Sequence, residues 1–445
     1  MIYARFLITL KNEFLNWRLW GSRALVLMYA ALAGLTIVGF ARLAELAFQC
    51  FLNWQSQWLW FPLFWTPLCT IVIVFLTKQF APGAAGSGIP QVMAALDPKC
   101  PLEERTLFVS LKLSFFKMVL TVAGLLAGLS IGREGPSVQI AAGVMRNAKR
   151  WLPSSAQISE ASLIMAGGAA GIAAAFNTPL GGIMFAIEEL SKSLEQRNNG
   201  LIIAAIVLAG LMGVSIDGNN TYFGVIHVNN LDIDVILPCI LVVLISGILG
   251  GLFSKMLIAA LRYQKGFIGN LRMRSPLLFA GICGLVVAAI GFYSHGETYG
   301  TGYAHTQAII TETGTSSYLF VPLKFVATLL STWSGVPAGI FAPSLAIGGG
   351  IGNAVSSALA LPHTQILIAI GMAGFLAAVT QAPLTSFIIV MEMIDGHGLV
   401  LSLMASALVA SGISRMIVRP LYPTLAIMQL GRLPKHEKIK HHKPS

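Results

Sequence analysis

Between two apolar, helix-compatible runs, residues 118–131 and 137–145, the chain reads Gly-Arg-Glu-Gly-Pro over 132–136. A regular helix does not continue through such a break, and an ionised group at mid-membrane depth costs roughly 3 kcal/mol or more. The glycines free the backbone, and Pro136 suits the first turn of a new helix, where a missing N–H costs nothing. A helix that begins inside a membrane presents unpaired N–H groups and a partial positive charge, and the two together make an anion site. Glu134 stands at that start. Ionised, it can occupy the site itself; protonated, it can leave. That makes it a candidate gate.

Composition supplies the membrane. Of 445 residues 56% are apolar and 11% charged, where soluble domains carry about 25% charged residues; mean hydropathy is +0.76. The chain therefore reads as a polytopic, all-α membrane protein. No cleavable signal is expected, because Arg5, Lys11, Arg18 and Arg23 precede an apolar segment too long for a signal core. The net charge of +11 comes largely from loops and ends, and it reports topology rather than nucleic-acid binding. The positive-inside rule then puts both termini in the cytoplasm. Residues 1–23 read as a basic amphipathic helix on that surface, 24–430 as one transmembrane domain and 431–445 as a basic tail. Arg262, Lys265, Arg272 and Arg274 mark a second cytoplasmic loop, whereas Asp217, Asp232 and Asp234 mark an outer one. The five cysteines have neither paired nor metal-like spacing.

Several apolar segments are short or broken, at 80–90, 132–136, 177–179, 335–343 and 381–383. Irregular backbone at membrane depth survives only where protein covers it or a cavity adjoins it. Breaks in matching positions of two halves are the best pointer to a transporter's binding site. A repeat is present. Gly132-x-x-x-Pro136-Ser137-x-x-Ile140-x-x-Gly143 recurs as Gly339-x-x-x-Pro343-Ser344-x-x-Ile347-x-x-Gly350, 207 residues on. Pro179-Leu180 with Glu188 recurs as Pro383-Leu384 with Glu392, 204 residues on. The halves run from about 24 to 215 and from 232 to 430. Spacing alone leaves their relative orientation, inverted or parallel, open.

Within apolar stretches the acids are Glu134, Glu188, Glu189 and Glu392. For the repeated pair Glu188 and Glu392, structural caps on equivalent turns are the favoured reading. Glu189 precedes Ser191 and Lys192 and is either a proton-path acid or a solvated helix end. Gly86, Ser87, Gly88 and Pro90 lie in a run offering a hydroxyl and amides with little bulk, although glycine-rich turns are common. Phe341 stands where the repeat would place a second Glu134. Tyr422 is either a donor from the last segment or an interfacial belt tyrosine. Lys117 either holds positive potential near a pathway or snorkels to the surface.

Four motifs in this order and spacing, Gly86–Pro90, Gly132–Pro136, Gly339–Pro343 and the late Tyr422, resemble the CLC family of chloride channels and chloride/proton antiporters. The resemblance covers about 24 to 430. It implies a homodimer in the lipid bilayer, each subunit built from two inverted-topology repeats of tilted and broken helices around its own pathway. It implies that Ser87 and Tyr422 offer hydroxyls to a central chloride, with the amides of Ile340 and Phe341. It makes Glu134 the gating and external-proton residue, competing with chloride near the amides of Arg133 and Gly135, with Lys117 in support. Glu189 matches the internal proton glutamate of antiporters, an acid that family channels typically lack. Family members adapted to nitrate carry proline at the Ser87 position, and the fluoride-exporting branch departs from the serine and the late tyrosine; both are present here. Gln91 and Met93 depart from the acids of many antiporter relatives. Only 23 residues follow Tyr422, so no cytosolic regulatory domain is expected, and a prokaryotic inner membrane is the expected home. No cofactor, metal or enzymatic activity is implied.

The expected function is chloride/proton exchange, with a passive voltage- or pH-gated chloride channel as the alternative. An intramembrane serine hydrolase built on Ser87 needs a base within reach. All eight histidines fall in loops, segment ends or the tail. That reading is set aside.

Overall fold

A computed structural model describes residues 17–431 and 433, apart from 155, 157, 192–198, 219–220, 227–234, 263–266, 312, 314–316 and 362–363. The described chain is helical, and its first eight helices are α1 (Trp17–Gln57), α2 (Phe61–Phe80), α3 (Ile89–Leu96), α4 (Leu111–Leu126), α5 (Glu134–Asn147), α6 (Glu160–Phe176), α7 (Pro179–Phe185) and α8 (Asn199–Asp217). Then follow α9 (Ile236–Arg262), α10 (Phe267–Arg274), α11 (Pro276–Tyr293), α12 (Tyr303–Ile310), α13 (Phe320–Trp333), α14 (Phe341–Ala358), α15 (Thr364–Thr380), α16 (Pro383–Met393), α17 (Val400–Ile417) and α18 (Leu421–Leu430). Six of them, with flanking turns, are long and apolar enough to cross a bilayer, namely α1, α2, α4, α9, α11 and α17. Helices as short as seven or eight residues alternate with these. Trp17–Arg23 form the opening turns of α1 rather than a separate surface helix, because nothing in 17–24 breaks the helix. Residues 1–16 and the tail 434–445 lie outside the described residues.

The breaks fall where helix-ending residues stand. Asn177 and Gln381 adopt left-handed backbone, φ 58° and 60°, and each is followed within two residues by the proline that opens the next helix. Proline cannot extend the preceding helix but fits the first turn of a new one.

Reciprocal contacts join the halves. Gly132 and Gly339, themselves repeat mates, pair as an antiparallel bridge, with N–H to O distances of 2.7 and 3.0 Å. Glu188 accepts the N–H groups of Leu384 and Thr385 at 3.1 and 2.7 Å. Glu392 accepts those of Leu180 and Gly181 at the same two distances. Contacts in which residue i meets mate j, and j meets i, are those of a two-fold relation. With its axis in the membrane plane, such a two-fold gives inverted halves. The two glutamates are caps, as expected, but each caps the other half's helix.

Candidate anion site

Two helix N-termini meet at the central bridge. Arg133 is the N-cap of α5 and Ile340 the N-cap of α14, so both ends present N–H groups that have no partner within their own helix. Glu134 is fully buried between them. Its Oε2 accepts the N–H of Ala342, in the first turn of the opposite half's helix, at 3.4 Å. Its Oε1 is buried with no hydrogen-bond partner. The carboxylate thus lies in the field of two helix ends. Gly135 enters by lacking a side chain: a Cβ there would lie 2.9 Å from the Ser87 carbonyl oxygen.

On the other side of Gly135 lies the 86–90 loop, and three devices hold it. Gly86 bridges to the opposite half, donating to Val336 O at 3.1 Å and accepting from Ala338 N at 3.0 Å. Lys117, fully buried on α4, donates from Nζ to Ala84 O at 2.8 Å and to Gly86 O. Gln91 accepts the Gly88 N–H at 3.0 Å and donates to Ala85 O. Gly88, at φ 105°, takes a backbone that side-chain-bearing residues avoid. Pro90 stands in the opening turn of α3. The loop is rigid by construction.

The Ser87 Oγ and the Tyr422 Oη are both buried, and neither has a well-formed hydrogen bond. Buried hydroxyls are ordinarily paired, so two such groups on one small cavity of about 100 Å³, which Ile340 also lines, suit an anion. Tyr422 is no belt tyrosine: it is fully buried, its ring stacked on Phe341 with centroids 6.1 Å apart. Phe341 is boxed by Phe176 and Phe185 as well, at 6.3 and 6.4 Å. Ile340 is the N-cap of α14 and Phe341 its first residue.

Glu189 lies apart, on a wide π turn over Ala186–Leu190 that closes α7. Such turns admit an extra residue and are frequent at functional sites. Its carboxylate does not line the Ser87–Tyr422 cavity, yet it is near enough for its charge to act on Tyr422 Oη. Arg133 turns its side chain away, donating to Ala41 O at 2.8 Å and to Tyr222 Oη at 3.3 Å.

Lys117 therefore does not snorkel. It has a mate that the sequence reading missed: Lys324, 207 residues on, is fully buried on α13 and donates to Thr298 O and Gly300 O at 2.9 and 2.8 Å. Carrying the repeat offset from Lys117 finds it. The same offset leads from Gly135 to Ala342, the residue that donates to Glu134 and was also missed.

Comparison with known proteins agrees with this architecture. The family model for the voltage-gated chloride channel matches residues 68–415. The H(+)/Cl(-) exchange transporter ClcA of Salmonella paratyphi A is 28% identical over 414 residues, covering 90% of this chain and 84% of the relative. A slow cyanobacterial Cl-/H+ antiporter superposes with a TM-score of 0.78 at 23% identity, over 92% of this chain and 98% of its own. A CLC-type fluoride/proton antiporter gives 0.76 at 24%, with the same coverage. With that match over most of its length, and with twin helix ends enclosing a buried glutamate, this multi-pass membrane protein of anion transport belongs to the voltage-gated chloride channel (CLC) family.

Proposed function

We propose that this protein exchanges chloride for protons across the membrane. The observation that carries the reading is Glu134, whose buried carboxylate takes the Ala342 amide at the paired helix ends. Carboxylate and chloride compete for one set of donors. Ionised Glu134 holds the site shut; protonated, it loses its attraction to the helix ends and leaves them to the anion. Each chloride passage is thereby tied to a proton taken up or released. Glu189, off the anion cavity, is the proton's entry from the other side, with Tyr422 between the two acids.

Chloride is favoured over fluoride because Ser87 and Tyr422 are both in place, while the relative named as a fluoride/proton antiporter supports the shared chemistry of anion and proton. A homodimer in a bacterial inner membrane, with both termini cytoplasmic, follows from the resemblance and the positive-inside rule. The alternative, a passive channel in which Glu134 only gates, is weakened by the acid at Glu189.

The test is made on purified protein in liposomes with a chloride gradient, recording chloride and external pH together. Protons moving uphill as chloride runs down, and collapsing with a proton ionophore, support exchange. Chloride flux without protons makes it a channel, and no chloride flux overturns the reading. Glu189→Gln is expected to cut proton flux about a hundredfold or more, the scale of a lost proton-transfer group, while sparing chloride. Equal loss of both fluxes makes Glu189 merely structural.

A further inference from the structure

One of the four basic residues that mark the 262–274 loop does not stay in the loop. Arg272, on α10, lines the Ser87–Tyr422 cavity. It also lines a second cavity of about 360 Å³, together with Lys78 of α2. The two cavities share Ala85, Gly335 and Arg272 among their walls. They thus form consecutive chambers of one vestibule, whose inner end is the pair of hydroxyls. Arg272 is anchored at the junction, donating from Nη1 to Ala260 O at 2.8 Å near the end of α9. Lys78 is exposed near the end of α2. Gly335 holds positive-φ backbone, and a Cβ built on it would meet nothing within 4 Å, so this wall of the junction is bare.

The charge of this vestibule has one sign. Among the described residues, Lys78 and Arg272 are the charged side chains that line it, and both are cations, while the remaining walls are largely apolar. A narrow, low-dielectric cleft of one sign focuses field lines and raises the local concentration of the opposite ion. We propose that Lys78 and Arg272 form an anion-capture station that loads small monovalent anions into the Ser87–Tyr422 site from this side, with Arg272 handing them on at the junction. The idea rests on the exchange reading only in taking that site as the anion's path. Capture lowers the barrier at the mouth in both directions. Lys78, on the outer cavity alone, therefore speeds loading and unloading without altering equilibrium affinity at the hydroxyls, whereas Arg272, on the wall of the Ser87–Tyr422 cavity, also adds its attraction to the bound anion.

The test measures isotopic chloride exchange in liposomes with equal chloride on both sides, over a concentration series, beside calorimetric chloride binding in detergent. Arg272→Gln and Lys78→Glu are each expected to slow exchange about tenfold at chloride well below saturation, the lower end of electrostatic focusing. The loss should shrink near saturation, and in Lys78→Glu the chloride Kd should move less than about twofold. Raising ionic strength with an impermeant salt should slow the unaltered protein towards the variants. Lys78→Glu guards against misfolding, since Lys78 is exposed and its replacement leaves the Ala260 contact intact. Unchanged exchange in both variants, or a Kd shift in Lys78→Glu as large as its rate shift, overturns the capture station. Unaltered protein that exchanges no chloride overturns the underlying reading together with it.

Discussion

The two halves share one scaffold and differ in what they place on it. The second half has two helices more than the first, ten against eight, but the structural devices are duplicated: left-handed Asn177 and Gln381, crosswise Glu188 and Glu392, buried Lys117 and Lys324. The chemistry is not. At the helix starts, the first half carries Glu134 and the second Phe341. In the loops, Gly86-Ser87-Gly88 has its counterpart in Gly300-Thr301-Gly302. Ser87 Oγ is unpartnered, whereas Thr301 Oγ1 accepts the Tyr303 N–H at 3.2 Å. The π turn with Glu189 closes α7, while α16 runs on as a regular helix through Met393. A two-fold frame makes two helix ends converge, and breaking the symmetry of the side chains decides what passes between them. Phe341 has a use of its own, since its ring fixes Tyr422 over the site.

The comparison breaks or sharpens on four sets of substitutions. Glu134→Gln has the largest expected effect: proton coupling disappears and chloride still passes in the two-electrode liposome assay. A Gln variant that drives protons uphill would remove Glu134 from its role. Next come the lysines. Lys117→Met and Lys324→Met each leave two carbonyls without their donor, an expected loss of about 2 kcal/mol read by denaturation in detergent. Only the first should also weaken chloride binding, because only its loop carries an unpartnered hydroxyl. Third, Tyr422→Phe removes a donor to an anion and should raise the chloride Kd about tenfold, while Thr301→Val leaves it unchanged; the reverse result would put the site in the other half. The smallest effect belongs to the carboxylate caps. Glu188→Gln and Glu392→Gln should each cost about 1 kcal/mol, and equally. Unequal losses would show that the shared frame is not energetically symmetric.

How much of this lay open in the sequence depends on how local each signal is. The breaks at 132–136, 177–179 and 381–383 were legible because glycine, proline and left-handed Asn act within a turn. The repeat is legible because it fixes spacing, and the same spacing of 207 residues carries Lys117 to Lys324. Crosswise capping was not legible, since Glu188 lies 196 positions from the N–H of Leu384 and no local pattern joins them. Arg272 reads as a loop charge for the same reason: its place depends on the fold bringing α10 to a cavity that α3 and α18 also line. Single buried hydroxyls such as Tyr422 Oη look like belt residues until their surroundings are known.

The crosswise caps carry a consequence for how the chain comes to be made. When Glu188 has been synthesised and threaded into the bilayer, the amides of Leu384 and Thr385 that will receive its charge do not yet exist. Until synthesis reaches Glu392, the start of α7 likewise lacks its carboxylate. The first half therefore spends much of its translation with an unmatched acid and an open helix end, both costly in lipid. Assembly of the core is a late event, closed by the second half. Two separately expressed halves, divided in the 219–234 connection, would each be incomplete and would stabilise one another only on meeting.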